Sequence, residues 1–161
     1  MDAEGSVHGG VMNSDQPLLN GRETPVPALL EMPSTLAGVS VFLAEDEPVL
    51  VWALEEVLGE LGCQVVGSAA RVTDAMAFVA QHSFDVAILD GTLADGSIDP
   101  VVELLTARGV PVILSSGRSS CDATKKYSHA VVLQKPYKDV ELRQALLLAL
   151  ARGKVERNPV L

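Results

Sequence analysis

From residue 39 onward, short apolar runs alternate with segments of helical spacing, and four of the apolar runs stop at reactive polar groups. VFLAEDE (41–47) ends at Glu45 and Asp46, FDVAILD (84–90) at Asp90, VPVILSSG (110–117) at Ser116, and VVLQKP (131–136) at Lys135. Val39 to Ala44 reads as a buried strand between Gly38 and the acids. Pro48 suits the first turn of a helix, where its missing N–H costs nothing. Val49, Ala53, Val57 and Leu61 then recur at helical spacing up to Gly62. CQVVGSAA (63–70) is a second strand, and Thr73 or Asp74 caps a helix to about His82, with Ala75, Phe78 and Val79 inward. The third strand, 84–90, is followed by the loop GTLADGS and a helix from Pro100 to Arg108. The fourth strand is 110–116. Residues 118–130 are mostly polar and poorly periodic, and the fifth strand is 129–134. The last helix, 137–152, turns Leu142, Ala145, Leu146 and Ala149 inward. Five such alternations predict an α/β fold: a three-layer, doubly wound, five-stranded parallel sheet of flavodoxin-like strand order 2-1-3-4-5.

Residues 1–37 break this pattern. They are rich in Gly, Pro, Ser and acids, and Pro25, Pro27 and Pro33 interrupt any helix. A disordered N-terminal tail is expected there, a folded domain over 38–153, and a short C-terminal tail over 154–161. An unstructured extension of no specific role is expected, with docking of the apolar patch Ala28 to Met32 as the alternative.

Composition narrows the function. The chain has 161 residues, 48% of them hydrophobic but only 4% aromatic, so an aliphatic core is expected. A net charge of −9 argues against a nucleic-acid surface, which needs a basic patch. No apolar run approaches the ~20 residues of a membrane span. The N-terminus lacks a basic stretch followed by an apolar one, so a cytoplasmic location is expected. Cys63 and Cys121 do not make a disulfide framework.

In a parallel sheet all strand C-termini lie on one edge, so Glu45, Asp46, Asp90, Ser116 and Lys135 meet in one crevice. Clustered carboxylates repel unless they share a cation, and Mg²⁺ takes oxygen ligands while keeping waters. A carboxylate is also a nucleophile toward phosphorus. A hydroxyl can donate to a phosphoryl oxygen, and an ammonium can pair with it as a point charge. Pro136 fixes the backbone just after Lys135. Glu45 and Asp46 also suit the start of a helix, where the macrodipole favours acids.

These motifs, in this order at strand ends, resemble the receiver domain of two-component response regulators over residues 38–152. The resemblance implies that Asp90 accepts a phosphoryl group from a histidine kinase or a histidine phosphotransfer protein. It implies that Asp46 and Asp90 bind Mg²⁺ directly and Glu45 through water, with the Thr92 backbone carbonyl completing the set. It implies that Ser116 and Lys135 read the phosphorylated state, although Ser115 remains an alternative hydroxyl. With only a short segment after the last helix, a stand-alone, single-domain regulator is expected. Its output is then protein contact, around the fourth helix, fifth strand and fifth helix, or the draining of phosphate from a kinase.

Three departures qualify the resemblance. No Pro follows Asp90 until Pro100. The position three before Lys135, usually aromatic, is Val132, while Tyr127 and Tyr137 lie off the motif. The interval from Ser116 to Lys135 is short, and Ser116-Gly117 resembles an atypical subgroup with a poorly ordered fourth helix. A switch that orders this segment is therefore expected, rather than one that rotates a ring. Arg118 is placed to influence water near the phosphoryl group. Trp52 is expected to pack at the rim of the first helix, with exposure toward a kinase as the alternative. His8, His82 and His129 show no metal-ligand spacing. LDGTL looks like the nucleophile motif of haloacid-dehalogenase-type phosphatases, but Ile88 stands where their nucleophile should be. A degenerate receiver serving only as an adaptor is the other alternative.

Overall fold

The computed structural model of the chain describes residues 35–117 and 125–157. Residues 1–34, 118–124 and 158–161 lie outside the described residues. With them go most of the expected N-terminal tail, His8, Arg118, Cys121 and the start of the expected fourth helix.

Strands β1 (Ser40–Ala44), β2 (Gln64–Ala69) and β3 (Val86–Asp90) are followed by two very short ones, β4 (Thr92–Leu93) and β5 (Gly96–Ser97), and then by β6 (Val112–Ser116) and β7 (Val131–Gln134). Five of them form one parallel sheet in the order β2-β1-β3-β6-β7. Counting only those five, this is the expected 2-1-3-4-5. The pair β4–β5 is an antiparallel hairpin within the loop after β3, where sequence showed only a loop. The helices are α1 (Pro48–Glu60), α2 (Val72–Gln81), α3 (Asp99–Ala107) and α4 (Asp139–Arg157).

Strand alternation divides the core into two layers. Phe42, Ala44, Ala87, Leu89, Val112 and Leu114 face α2 and α3, where they meet Ala75, Val79, Val101 and Leu105. Val41, Leu43, Val86, Ile88 and Ile113 face Leu54, Leu58, Leu142 and Leu146 of α1 and α4. The inner strands β1, β3 and β6 are buried on both faces, which is why they read as continuous apolar runs. The chain's three phenylalanines are not scattered through this largely aliphatic core. They form one cluster, in which Phe42 stacks on Phe78 at 4.7 Å and packs against Phe84 at 5.4 Å. His82 stacks on the far side of Phe78 at 4.0 Å, so this histidine is a packing residue.

Gly67 of β2 makes room for that stack. A Cβ there would lie 2.5 Å from two ring carbons of Phe78. Phe42 and His82 flank the ring on both sides, so it cannot withdraw. Gly67→Ala is expected to cost about 2 kcal/mol through overpacking, measured by urea unfolding. Gly67→Ala combined with Phe78→Leu should recover part of the loss.

Three local expectations are corrected. In α1 the buried positions are Leu54 and Leu58, whereas Val49 is 73% exposed. Apolar residues run unbroken from Val49 to Leu54, so their spacing is compatible with several helix phases. Trp52, expected to pack, is 64% exposed. The cap of α2 is neither Thr73 nor Asp74, because the helix already begins at Val72 and its N-cap residue, Arg71, makes no side-chain cap. Asp95, from the β4–β5 turn, supplies it: the Val72 N–H donates to Asp95 at 2.6 Å and the Thr73 N–H at 3.2 Å.

Two boundaries also differ in detail. Leu36 is only 3% exposed and packs in the α1/α4 layer, so the fold takes in chain before residue 38. The last helix starts two residues later than expected and continues to Arg157. Gly153 does not end it. A Cβ there would meet Pro111 at 2.7 Å, so this glycine permits a close approach.

Candidate functional site

Glu45, Asp46, Asp90, Ser116 and Lys135 all lie at the C-terminal edge of the sheet, at or just beyond the ends of β1, β3, β6 and β7. The order β1-β3-β6-β7 sets these strand ends side by side. Register does the rest, since Asp90 pairs with Ser115 and Ser116 with Gln134.

Lys135 ties the site together. Its Nζ donates to Glu45 at 3.0 Å and to Asp90 at 3.0 Å. The Glu45 side chain is 3% exposed and that of Asp90 21%. Burial pushes the pKa of Glu45 upward, and the Lys135 hydrogen bond opposes that rise. Burial disfavours the Lys135 ammonium, but the bonds to Glu45 and Asp90 outweigh it and hold its pKa above the ordinary lysine value. The Lys135 N–H donates to the Ser116 carbonyl at 2.8 Å, which extends the sheet pairing to the residue carrying the ammonium. The Lys135–Pro136 peptide is cis.

One oxygen from each of Glu45, Asp46 and Asp90 lies within 4.8 Å of the other two. Ligands on opposite sides of a Mg²⁺ ion are about 4 Å apart, so small side-chain adjustments bring this trio to coordinating distance. Three carboxylates and one ammonium leave two negative charges (−3 + 1 = −2), which a divalent cation balances. The donor set, all oxygen, suits Mg²⁺. Thr92 follows closely, and its N–H donates to Asp90 Oδ1 at 3.3 Å.

The two serines differ sharply. Ser115 is 2% exposed and continues the face that carries Ile113, toward α1 and α4. Its hydroxyl, among the described residues, makes no hydrogen bond of normal geometry. Ser116 has the opposite parity, is half-buried, and donates only weakly to its neighbour's carbonyl at 3.4 Å. Its hydroxyl can therefore turn to a ligand in the crevice, while that of Ser115 is enclosed. Tyr137 is also half-buried, and burial raises its pKa against an opposing contact from Ser115.

Where an aromatic residue is usual, Val132 is half-buried. The aromatic that does enter the core is Tyr127, 9% exposed, whose hydroxyl donates to Asp99 at the start of α3. Lys126 pairs with the same carboxylate at 2.5 Å. Sequence flagged Tyr127 only as lying off the motif; the acid that anchors it, Asp99, carries no sequence signal beyond its place before Pro100. His129 serves as a partner for the Thr106 hydroxyl at 2.9 Å. Ile88 is buried in the core.

The comparisons with known proteins identify the family. The family model described as the response regulator receiver domain matches residues 41–147. The chain is 31% identical over 117 residues to the transcriptional regulatory protein PdtaR of Mycobacterium tuberculosis, covering 70% of this chain. It spans only 57% of that relative's length. Among solved structures, SdrG from Sphingomonas melonis Fr1 is 34% identical with a TM-score of 0.61, covering 69% of this chain and 97% of its own. The receiver domain of the response regulator PhyR from Erythrobacter litoralis is 27% identical with a TM-score of 0.61, covering 71% of this chain and 91% of its own. No described helix is long and apolar enough to cross a membrane. Fold, site and relatives converge: the chain belongs to the response regulator receiver domain family of two-component systems.

Proposed function

We propose that this receiver accepts a phosphoryl group on Asp90 from the phosphohistidine of a histidine kinase or a histidine phosphotransfer protein, in a Mg²⁺-dependent reaction. The observation that carries the proposal is the Lys135 ammonium held between Glu45 and Asp90, with Asp46 completing a trio of carboxylates whose oxygens lie close enough together to suit a divalent ion. An Asp90 carboxylate oxygen forms the new P–O bond while the P–N bond to the donor imidazole breaks, and the bonding pair stays with the imidazole. Glu45, Asp46, Asp90 and the Thr92 carbonyl are the residues that would hold Mg²⁺. Bound there, it would offset charge on the phosphoryl oxygens.

The chain's own groups supply the rest. Lys135 exchanges its Asp90 contact for a phosphoryl oxygen, and Ser116 donates to a second one. A donor reaches Asp90 from the top of the sheet, beside a groove of about 410 Å³ between α1 and α4. Leu50, Ala53, Leu54, Val57 and Leu142 line this groove, and Glu45 and Lys135 stand at it too. Trp52, exposed on the same helix, suits contact with a protein donor better than it suits packing. Output then passes by protein contact or by withdrawal of phosphate from a kinase, in the cytoplasm.

Acetyl phosphate with Mg²⁺ should add one phosphoryl group to the wild-type protein, read by intact mass. Chelating Mg²⁺ or substituting Asp90→Asn should abolish the addition. A wild-type protein that stays unlabelled with acetyl phosphate and with every phosphohistidine donor tried would instead favour the phosphorylation-independent adaptor.

A further inference from the structure

The loop after β3 is clasped to a neighbouring helix by a carboxylate that belongs to neither the metal cluster nor the core. Residues Gly91 to Ser97 fold as the β4–β5 hairpin, with Thr92 paired to Ser97 and Leu93 to Gly96. Leu93 is 3% exposed and pins the hairpin from below. Asp95 sits at its turn and reaches α2. There it accepts the Val72 N–H at 2.6 Å, the Thr73 N–H at 3.2 Å and the Thr73 hydroxyl at 3.3 Å. The Arg71 guanidinium lies 4.0 Å away. The Val72 and Thr73 N–H groups are end donors with no partner inside the helix, and the one at Thr73 is of the kind that an N-cap side chain normally satisfies. Here Arg71 occupies that position and cannot accept. The cap therefore comes from 22 or 23 residues further along the chain. The hydrogen bonds hold the Asp95 carboxyl below the usual carboxylate range, the Val72 N–H contributing most.

We propose that Asp95 is a positioning residue for the phospho-acceptor site. By fastening the hairpin tip to α2, it fixes the short loop that begins next to Asp90 and carries Thr92. Thr92 already contacts Asp90 through its N–H at 3.3 Å, and the Ile98 N–H closes the loop on the Gly91 carbonyl at 3.2 Å. No proline stiffens this loop before Pro100. The clasp does that work through hydrogen bonds to another element, so the placement of Thr92 depends on α2. The proposal rests on the reading of Asp90 and its neighbours as a Mg²⁺ site.

The test separates this role from helix capping. Mg²⁺ affinity is measured by calorimetry, and amide exchange is followed across 91–98 and the first turn of α2. In Asp95→Ala, Mg²⁺ affinity should fall about tenfold, the lower end of what losing a supporting partner of a metal ligand costs. Exchange should rise in both segments. A second variant, Arg71→Asp with Asp95→Ala, gives α2 a local cap in the extended conformation that Arg71 already has. It should restore protection of α2 and thermal stability, but neither Mg²⁺ affinity nor protection of 91–98. Recovery of Mg²⁺ affinity in the double variant would overturn the proposal, because helix stability alone would then explain the effect. Unchanged affinity in Asp95→Ala would overturn it as well. A wild type that binds no Mg²⁺ would instead count against the metal site itself, and exchange in 91–98 of the double variant would still decide whether the clasp fixes the loop.

Discussion

Lys135→Ala is expected to lower stability by about 3 kcal/mol in the absence of Mg²⁺, because it strips from two facing carboxylates the one cation that pairs with them among the described residues. Both hydrogen bonds from Nζ, at 3.0 Å each, are lost. Glu45, with its side chain 3% exposed, cannot recover its solvation by turning to water. Urea unfolding with and without Mg²⁺ checks this. The divalent ion should stabilise Lys135→Ala more than wild type, since the variant's native state gains more from binding a cation. Adding Glu45→Gln to Lys135→Ala should recover part of the loss. The pH dependence has a definite sign. The native-state pKa of Lys135 is raised above 10.5, so its contribution is complete at neutral pH and is lost as pH rises through that higher value. The difference also closes in acid, starting above the ordinary glutamate value of 4.5, because burial raises Glu45. Equal stabilities at neutral pH, unaffected by Mg²⁺, would count against a coupled site.

The second large effect lies in the core. Phe42→Ala should destabilise the fold by about 4 kcal/mol, the range for removing a fully buried aromatic ring. Phe42 is completely buried, stacks on Phe78 at 4.7 Å and touches Phe84 at 5.4 Å. It stands on β1 facing α2 and α3, so the void opens in that layer of the core. Phe42→Leu, which keeps most of the volume, should cost about 1 kcal/mol. Denaturant midpoints at constant slope measure both. Similar values for the two variants would mean that the cluster collapses around the gap, and that stacking on Phe78 contributes little.

Much of this was legible in the sequence for a definite physical reason. Strands buried on both faces write themselves as unbroken apolar runs, and strand ends are where polar residues must begin. That logic placed Glu45, Asp46, Asp90, Ser116 and Lys135 on one edge, where the fold does bring them together. The phase of α1 was not legible, because six apolar residues in a row satisfy several helical faces. The exposure of Trp52 followed from the same ambiguity. The cap on α2 was missed because it is not local: Asp95 lies more than twenty residues away from the helix start it serves. The Phe cluster escaped for a similar reason, since Phe42 of β1, Phe78 of α2 and Phe84 of the loop before β3 are united only by tertiary packing. Strand alternation and the following Gly117 already favoured Ser116 over Ser115 in the sequence, but the burial of each hydroxyl is a property of the packed fold.

The central claim is that the Asp90 carboxylate is the atom group that takes phosphate. It is tested most directly by chemical trapping. Protein labelled by acetyl phosphate with Mg²⁺ is reduced with borohydride, which converts an aspartyl phosphate to homoserine, and is then digested and sequenced by mass spectrometry. The account predicts homoserine at position 90 and nowhere else. Homoserine at position 46, or a phosphoryl group that resists reduction because it sits on a hydroxyl such as Ser116, would contradict it.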